Sequence, residues 1–168
     1  PLYELALSNG QLVTTLNQTK GTMLTRLRGD RGQRSTRQAL HYYFAAQDIH
    51  ERASSSHIQY QTLREHFRYS DVMFRFQRLL SMQSQACAQL SRAILLREPY
   101  QHDSRFERVF LHLDAALARI KNSGETTPEH VKALGFLLDN LRAIDAQLAA
   151  IESGQPHPQA CLLYTSDA

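Results

Sequence analysis

The sequence predicts an all-α protein, an antiparallel bundle of about six helices. Apolar residues recur at intervals of three and four over nearly all of the 168 residues, which is the helical period. No segment alternates between apolar and polar residues for long enough to indicate a strand. The seven glycines and five prolines lie mainly where one apolar stripe ends and the next begins. Short connections of this kind between long helices favour antiparallel neighbours.

Three of these helices are expected in the first half of the chain. The first covers residues 2–27 with one apolar stripe, and the glycine-rich segment 28–32 ends it. The second begins near Ser35 and is expected to break at the serine triplet 54–56. The last of these serines can cap a short third helix, which extends to about Phe67.

The fourth helix begins at Ser70 or Asp71. It ends before Pro99, because proline disfavours helical geometry in the residue that precedes it. Cys87 lies within this helix and is expected to be a reduced thiol in or near the core. The positions expected to face the core are Val72, Phe76, Leu79, Leu80, Gln83, Ala86, Leu90 and Ile94.

The fifth and sixth helices have the clearest boundary signals. Ser104 and Glu107 form a capping box, in which each side chain accepts a hydrogen bond from an unpaired backbone N–H group. The fifth helix then ends at residues 122–124. The sixth begins around Pro128, whose missing N–H group has no cost in a first turn, and Gly154 is expected to follow its last turn.

The domain boundaries follow from these patterns. Residues 1–154 are expected to form one soluble helical domain, with a proline-containing linker at 155–160. The octapeptide 161–168 continues no periodic pattern and matches the translation of a transposon-end sequencing adapter, so it is expected to be non-native. Because the chain begins with Pro1 and not Met, the domain is expected to be a fragment of a larger protein. No apolar run approaches the ~18 residues of a membrane span.

A group of five arginines within twelve residues, opposed only by Asp30, is the strongest local charge feature. These are Arg26, Arg28, Arg31, Arg34 and Arg37. Such a group raises the local positive potential and suits acidic lipid head groups or another anionic partner. The alternative is a solvated corner whose arginines pair with acidic residues elsewhere. Nucleic acid is not expected, because the formal net charge is only +3 and the aromatic residues have core spacing.

Motifs for catalysis and metal binding are absent from the sequence, so neither an enzyme nor a bound cofactor is expected. There is no P-loop, GxSxG, GxGxxG or HExxH, and the eight histidines include no Glu-x-x-His pair. The nearest to acid–base groups are Asp48, Glu51, His112 and Asp114. Of these, His112 and Asp114 lie two positions apart on a helix and therefore point to different faces.

A group of aromatic residues leaves one further alternative open. Their helical spacing favours packing in the core, but they could also line a pocket for an aromatic small molecule. They are Tyr42, Tyr43, Phe44, Phe67, Tyr69, Phe74 and Phe76.

Several longer motifs resemble a known family. They are LTRLRGDRGQR at 24–34, HYYF at 41–44, QDIHERASSS at 47–56, FRFQRL at 74–79, QLSR at 89–92 and PYQHD at 99–103. Through these motifs the chain resembles the YccS/YhfK-type inner-membrane proteins of Gram-negative bacteria, within the fusaric-acid-resistance (FUSC) superfamily. The resemblance extends from residue 1 to about residue 154.

This resemblance implies a soluble helical region between two blocks of membrane helices, on the cytoplasmic side of the inner membrane. The whole protein would serve transport or efflux, and this region would serve assembly or regulation. Its expected partners are the membrane domains of the same protein, a second copy and an anionic lipid surface. A stand-alone helical adaptor and a ligand-sensing bundle are the alternatives.

Overall fold

The computed structural model describes residues 33–67, 70–96 and 98–153. In this part of the chain all regular structure is helical: α1 (Gln33–His66), α2 (Asp71–Leu96), α3 (Arg105–Ser123) and α4 (Pro128–Ser153). The all-α prediction is therefore confirmed. The count of about six helices is not confirmed, because the predicted first helix lies outside the described residues and the predicted second and third helices are one. The predicted linker and the adapter-like tail also lie outside them.

The predicted break at the serine triplet is wrong, because α1 continues through it. Ser54 remains in the helix and donates a hydrogen bond from Oγ to the His50 carbonyl at 2.9 Å. This bond to the preceding turn is compatible with helical backbone geometry. Ser56 is fully buried, so tertiary packing holds a residue of modest helix propensity inside the helix.

Helix α4 contacts each of the other three described helices. It makes its most extensive contacts with α1 and further contacts with α3, while α2 packs mainly on α3 and also meets α4. The α1–α4 pair is antiparallel, because the His66 ring near the end of α1 contacts the His130 ring near the start of α4. Earlier in α1, Asp48 accepts a hydrogen bond from Gln147, which lies near the end of α4.

The core consists almost entirely of aliphatic and aromatic side chains from all four helices. The predicted face of α2 is confirmed wherever its side chains are described, which leaves out only Ile94. Cys87 is fully buried, and this burial raises the pKa of its thiol to about 12. The largest fully buried side chains are Phe76, Ile49, Leu79, Leu80, Leu90, Leu113, Leu134 and Leu137.

The predicted capping box at the start of α3 is wrong. Ser104 has helical dihedral angles and forms no capping hydrogen bond with its side chain. The preceding carboxylate replaces it, because Asp103 Oδ1 accepts a hydrogen bond from the Arg105 backbone N–H group at 2.9 Å. The predicted end of α3 is confirmed: Gly124 has a φ of 67°, a left-handed conformation that costs glycine little.

Three further predicted boundaries agree with the structure, whereas Gly154 lies outside the described residues. Helix α2 begins at Asp71 and ends at Leu96, before Pro99, and α4 begins with Pro128 in its first turn. Among the described helices, none combines the length and apolar character that crossing a bilayer requires.

Candidate functional site

The connection between α2 and α3 is attached to α4 through a chain of side-chain contacts. The Tyr100 hydroxyl lies 2.8 Å from His102 Nδ1, and His102 Nε2 lies 2.5 Å from Asp145 Oδ1. The imidazole also stacks on the Phe106 ring, with centroids 4.8 Å apart and planes 3° from parallel. Tyr100 is 7% exposed, so the connection is packed against the bundle and does not project from it.

The direction of each hydrogen bond among Tyr100, His102 and Asp145 follows from which of their atoms can donate and which can accept. Asp145 is a carboxylate that can only accept hydrogen bonds, so the His102 Nε2–H group donates to it. In a neutral imidazole, Nδ1 is then an acceptor and takes the hydroxyl hydrogen of Tyr100. Each of these polar atoms therefore has a partner, and the arrangement fixes the position of the imidazole ring.

An open cleft of about 430 Å³ lies beside this connection, between α3 and α4. Its floor contains the rings of Phe106 and Phe110, which are themselves almost fully buried. The complete lining consists of His102, Asp103, Ser104, Phe106, Glu107, Phe110, Leu111, Asp114, Arg142 and Asp145.

Ion pairs involve most of the charged groups around this cleft. The Arg105 side chain, hydrogen-bonded to Asp103, lowers the pKa of that partly exposed carboxyl to about 2. Arg142 donates to both carboxylate oxygens of Asp114 at 2.8 Å, and its guanidinium lies 5.0 Å from the Phe110 ring centroid. Glu107 forms no ion pair with any described residue. The geometry therefore favours holding elements together over acid–base chemistry.

The predicted arginine group falls largely outside the described residues. Arg26, Arg28 and Arg31 lie before them. Arg34 and Arg37 lie in the first turns of α1, but their side chains are not among those described. The anionic-contact interpretation therefore stays a prediction.

The acid–base candidates are not brought together. Asp48 accepts a hydrogen bond from Gln147, whereas Asp114 pairs with Arg142, so these two carboxylates bind different residues of α4. The other two candidates, Glu51 and His112, are exposed.

The histidines of α1 also do not converge. His41 is buried, whereas His66 at the other end of the helix is exposed and contacts the His130 ring at a tilt of 39°, with centroids 4.0 Å apart. Within residues 33–67, 70–96 and 98–153, no group of three or more His, Cys, Asp or Glu side chains is arranged to hold a metal ion.

The aromatic residues considered for a ligand pocket have different environments. Phe76 is fully buried in the core, whereas Phe74 on the same helix is 53% exposed. Phe67 is partly buried against the core. The side chains of the three tyrosines in the group, at 42, 43 and 69, are outside the described residues.

Sequence reasoning missed the residues that attach the α2–α3 connection to α4. The segment 99–103 stands out only as one of the motifs shared with a family, with no role attached to Tyr100 or His102. Their partner Asp145 lies 43 residues after His102, on a polar position of a later helix. No local pattern could have joined the two.

Comparison with known proteins gives one family. The family description "FUSC-like inner membrane protein yccS" matches residues 1–148. Inner membrane protein YccS of Escherichia coli strain K12 is 74% identical over 155 residues, which are 92% of this chain and 22% of YccS. An uncharacterized protein of Haemophilus influenzae is 36% identical over 143 residues, which are 85% of this chain and 20% of that protein.

The chain thus spans about one fifth of the length of these curated relatives. No solved structure matches it. The assignment of this chain to a family rests on the match over residues 1–148 and on the 74% identity to YccS. The chain therefore belongs to the family of FUSC-like inner membrane proteins of the YccS type.

Proposed function

We propose that this chain is the soluble, cytoplasmic region of an inner-membrane transport or efflux protein, and that it serves assembly or regulation without catalysis of its own. The observation that carries the proposal is the 74% identity to the inner membrane protein YccS over 155 residues. This relationship supports an inner-membrane location for the whole protein.

The outward faces of the helices support an aqueous environment for this region. Each helix exposes charged side chains, for example Glu65 on α1, Arg78 on α2, Arg119 on α3 and Asp139 on α4. A charged side chain at the centre of a bilayer costs about 2.5–3.5 kcal/mol even on the lowest scales. A surface with such charges on every helix is suited to water.

The start of α1 supports contact with an anionic surface. Its first turn contains Arg34 and no acidic residue. Anionic lipid head groups would suit the arginines at 26–37, and the preference for Lys and Arg on the cytoplasmic side of membrane proteins agrees with such a position.

The cleft beside the α2–α3 connection supports a non-catalytic role. Asp103, Asp114 and Asp145 each pair with a neighbouring basic side chain. The pairs of Asp114 with Arg142 and of Asp145 with His102 join α3 and the preceding connection to α4, whereas Asp103 pairs with Arg105 at the start of α3. A region of this kind can relay the state of the membrane domains or hold them in position.

Site-directed labelling tests the location. Residues 1–154 replace the corresponding segment of full-length E. coli YccS, with a single cysteine at exposed Gln101 or Glu129. We expect a membrane-impermeant maleimide to label this cysteine in inverted inner-membrane vesicles and not in right-side-out vesicles. The same chimera without the introduced cysteine is the control. Labelling only in right-side-out vesicles would refute the cytoplasmic location.

A further inference from the structure

Two imidazole rings join the last turn of α1 to the first turn of α4. The His66 and His130 ring centroids are 4.0 Å apart, and the ring planes are tilted by 39°. His66 is exposed and His130 is half-buried, so both rings can exchange protons with the solvent. Histidine is the side chain that ordinarily changes charge between pH 5 and 8. The total charge at this contact therefore depends on pH.

The contact tolerates one proton better than two. Two neutral rings, or one neutral and one protonated ring, can remain packed at this distance. Two protonated rings place like charges about 4 Å apart, as the centroid distance shows. Such charges repel by more than the thermal energy even in water.

The ends of the two helices make the histidines unequal. His66 lies in the last turn of α1, where unpaired carbonyl groups favour positive charge. His130 is the third residue of α4, where unpaired N–H groups disfavour positive charge. We therefore expect His66 to take the first proton. A second proton, on His130, is opposed both by the helix dipole and by the charge on His66.

No charged residue shares the faces on which the two rings lie. Residues three and four positions away on a helix are the ones that share a face. Around His66 and His130, within the two helices and the turn before α4, these positions hold only uncharged residues: Thr62, Leu63, Thr126, Thr127, Ala133 and Leu134.

The charged residues at this end of the bundle do not neutralise the pair. Glu65 and Glu129 are exposed and adjacent in sequence to the histidines, but sequence neighbours on a helix do not face each other. Among the described residues, neither histidine forms an ion pair. Arg68 has no described side chain. The remaining charged residues are Arg64, Asp71, Arg75, Lys121, Glu125 and Lys132, of which Asp71 and Arg75 pair with each other.

The other polar contact of His130 is compatible with both charge states. Thr127 Oγ1 lies 2.9 Å from His130 Nδ1. A hydroxyl can donate to an unprotonated Nδ1 or accept from a protonated one. This hydrogen bond therefore neither requires nor prevents protonation, and the pH dependence comes from the contact between the rings.

We propose that the His66–His130 contact is a pH-sensitive attachment, which holds the last turn of α1 on α4 at neutral pH and releases it when both imidazoles are protonated. The release is local, because the preceding turn is held by the buried side chains of Tyr60 and Leu63. The inference rests on contacts within the bundle and is independent of where the protein is located.

Acidification should therefore weaken the folded state. In the unfolded chain the two imidazoles are far apart, and each takes up a proton below about pH 6.5. The folded pair resists the second proton, so the folded state binds fewer protons and loses stability as the pH falls through this range. The repulsion of two unit charges 4 Å apart in water corresponds to a factor of about five in the unfolding equilibrium constant.

Urea denaturation between pH 7.5 and pH 5 tests the repulsion. The unfolding equilibrium constant of the parent chain should rise about fivefold more over this interval than that of His66→Asn. His130→Asn should behave like His66→Asn, and the double variant should show no further change. The control is His112→Asn, which removes an exposed histidine of α3 and should follow the parent. A His66→Asn variant that also follows the parent would overturn the proposal.

Amide hydrogen exchange tests whether the release is local. Protection factors correct for the intrinsic pH dependence of exchange. Between pH 7.5 and pH 5 they should fall more for residues 61–66 than for residues 45–55 of the same helix. This difference should disappear in His66→Asn. An equal fall in both parts of α1 would show that the histidines affect global stability alone, and local release would be wrong.

Discussion

Gln83 of α2 donates a hydrogen bond from Nε2 to the Leu141 carbonyl of α4 at 2.7 Å, and both residues are fully buried. This polar contact joins two helices that are not consecutive in the chain. The amide oxygen of Gln83 has no hydrogen-bond partner among residues 33–67, 70–96 and 98–153. The glutamine therefore combines one satisfied group with one unsatisfied group in a core that is mostly apolar.

Substitution of Gln83 separates hydrogen bonding from packing. Gln83→Ala removes the interhelical bond and leaves a cavity, so we expect the free energy of unfolding to fall by about 2–4 kcal/mol. Gln83→Leu keeps most of the volume and removes the unsatisfied oxygen, so the loss should stay below about 1.5 kcal/mol. Urea denaturation followed by circular dichroism measures both. Equal losses in the two variants would show that packing volume is not the main contribution.

The contact between His102 and Asp145 should stabilise the α2–α3 connection. His102→Ala removes two hydrogen bonds and the stacking on Phe106, so we expect a loss of about 1–3 kcal/mol in the free energy of unfolding. Asp145→Asn should have a smaller effect and should speed amide hydrogen exchange in residues 98–104. The matched control is Asp139→Asn, which removes an exposed carboxylate from the same helix. A double-mutant cycle with no coupling energy between His102 and Asp145 would contradict this assignment.

Cys87 should resist modification in the folded protein. Its pKa of about 12 keeps the thiol protonated at neutral pH, and the sulfur is buried, so a thiol reagent has neither thiolate nor access. In a Cys161→Ser background we expect a colorimetric thiol reagent to react only after denaturant is added. Rapid reaction of the native protein would contradict the position of Cys87 in the core.

The same burial predicts loss of stability at alkaline pH. The pKa of Cys87 is raised in the folded state from 9.0 to about 12, so the unfolded state releases its proton first. The stability contribution of the neutral thiol is therefore complete below about pH 9 and is lost as the pH rises toward 12. Burial also raises the pKa of Tyr60, from 10.0 to about 12, so this residue acts in the same direction. The free energy of unfolding, measured by denaturation at several pH values across this range, should therefore fall less steeply with pH in Cys87→Ala than in the parent chain.

The arginine group should bind anionic membranes. Replacing Arg26, Arg28, Arg31 and Arg34 with Gln should weaken binding to phosphatidylglycerol vesicles, because each basic residue near such a surface contributes about 1 kcal/mol. Vesicles of phosphatidylcholine alone should bind neither form. A control with equal loss of charge changes Arg64, Arg78, Arg92 and Lys132 to Gln. Equal weakening in the two variants, measured by vesicle sedimentation, would show that net charge and not the arginine group is responsible.

The helices themselves were largely predictable. The 3–4 spacing of Phe76 and Leu79 correctly identified the buried face of α2. Local backbone chemistry identified the ends of elements, as with Gly124 after α3 and Pro128 at the start of α4. These signals act over one or two turns, so a single sequence contains all the information they require.

Two predicted helix boundaries are wrong, because at each of them the local sequence allows more than one backbone structure. The serines at 54–56 could have ended α1, but burial of Ser56 against the rest of the bundle keeps them helical. Ser104 could have capped α3, but the neighbouring Asp103 accepts the hydrogen bond and also pairs with Arg105. In both places, contacts with neighbouring residues decide between local structures of similar energy.

The sequence by itself determined that this chain is helical, which residues of α2 face the core, and to which family it belongs. Only the tertiary structure decided that His102 meets Asp145 and that Gln83 meets Leu141. These pairs are separated by 43 and 58 residues, and no helical period connects positions so far apart. Their contacts depend on how whole helices pack, which is a property of the complete core.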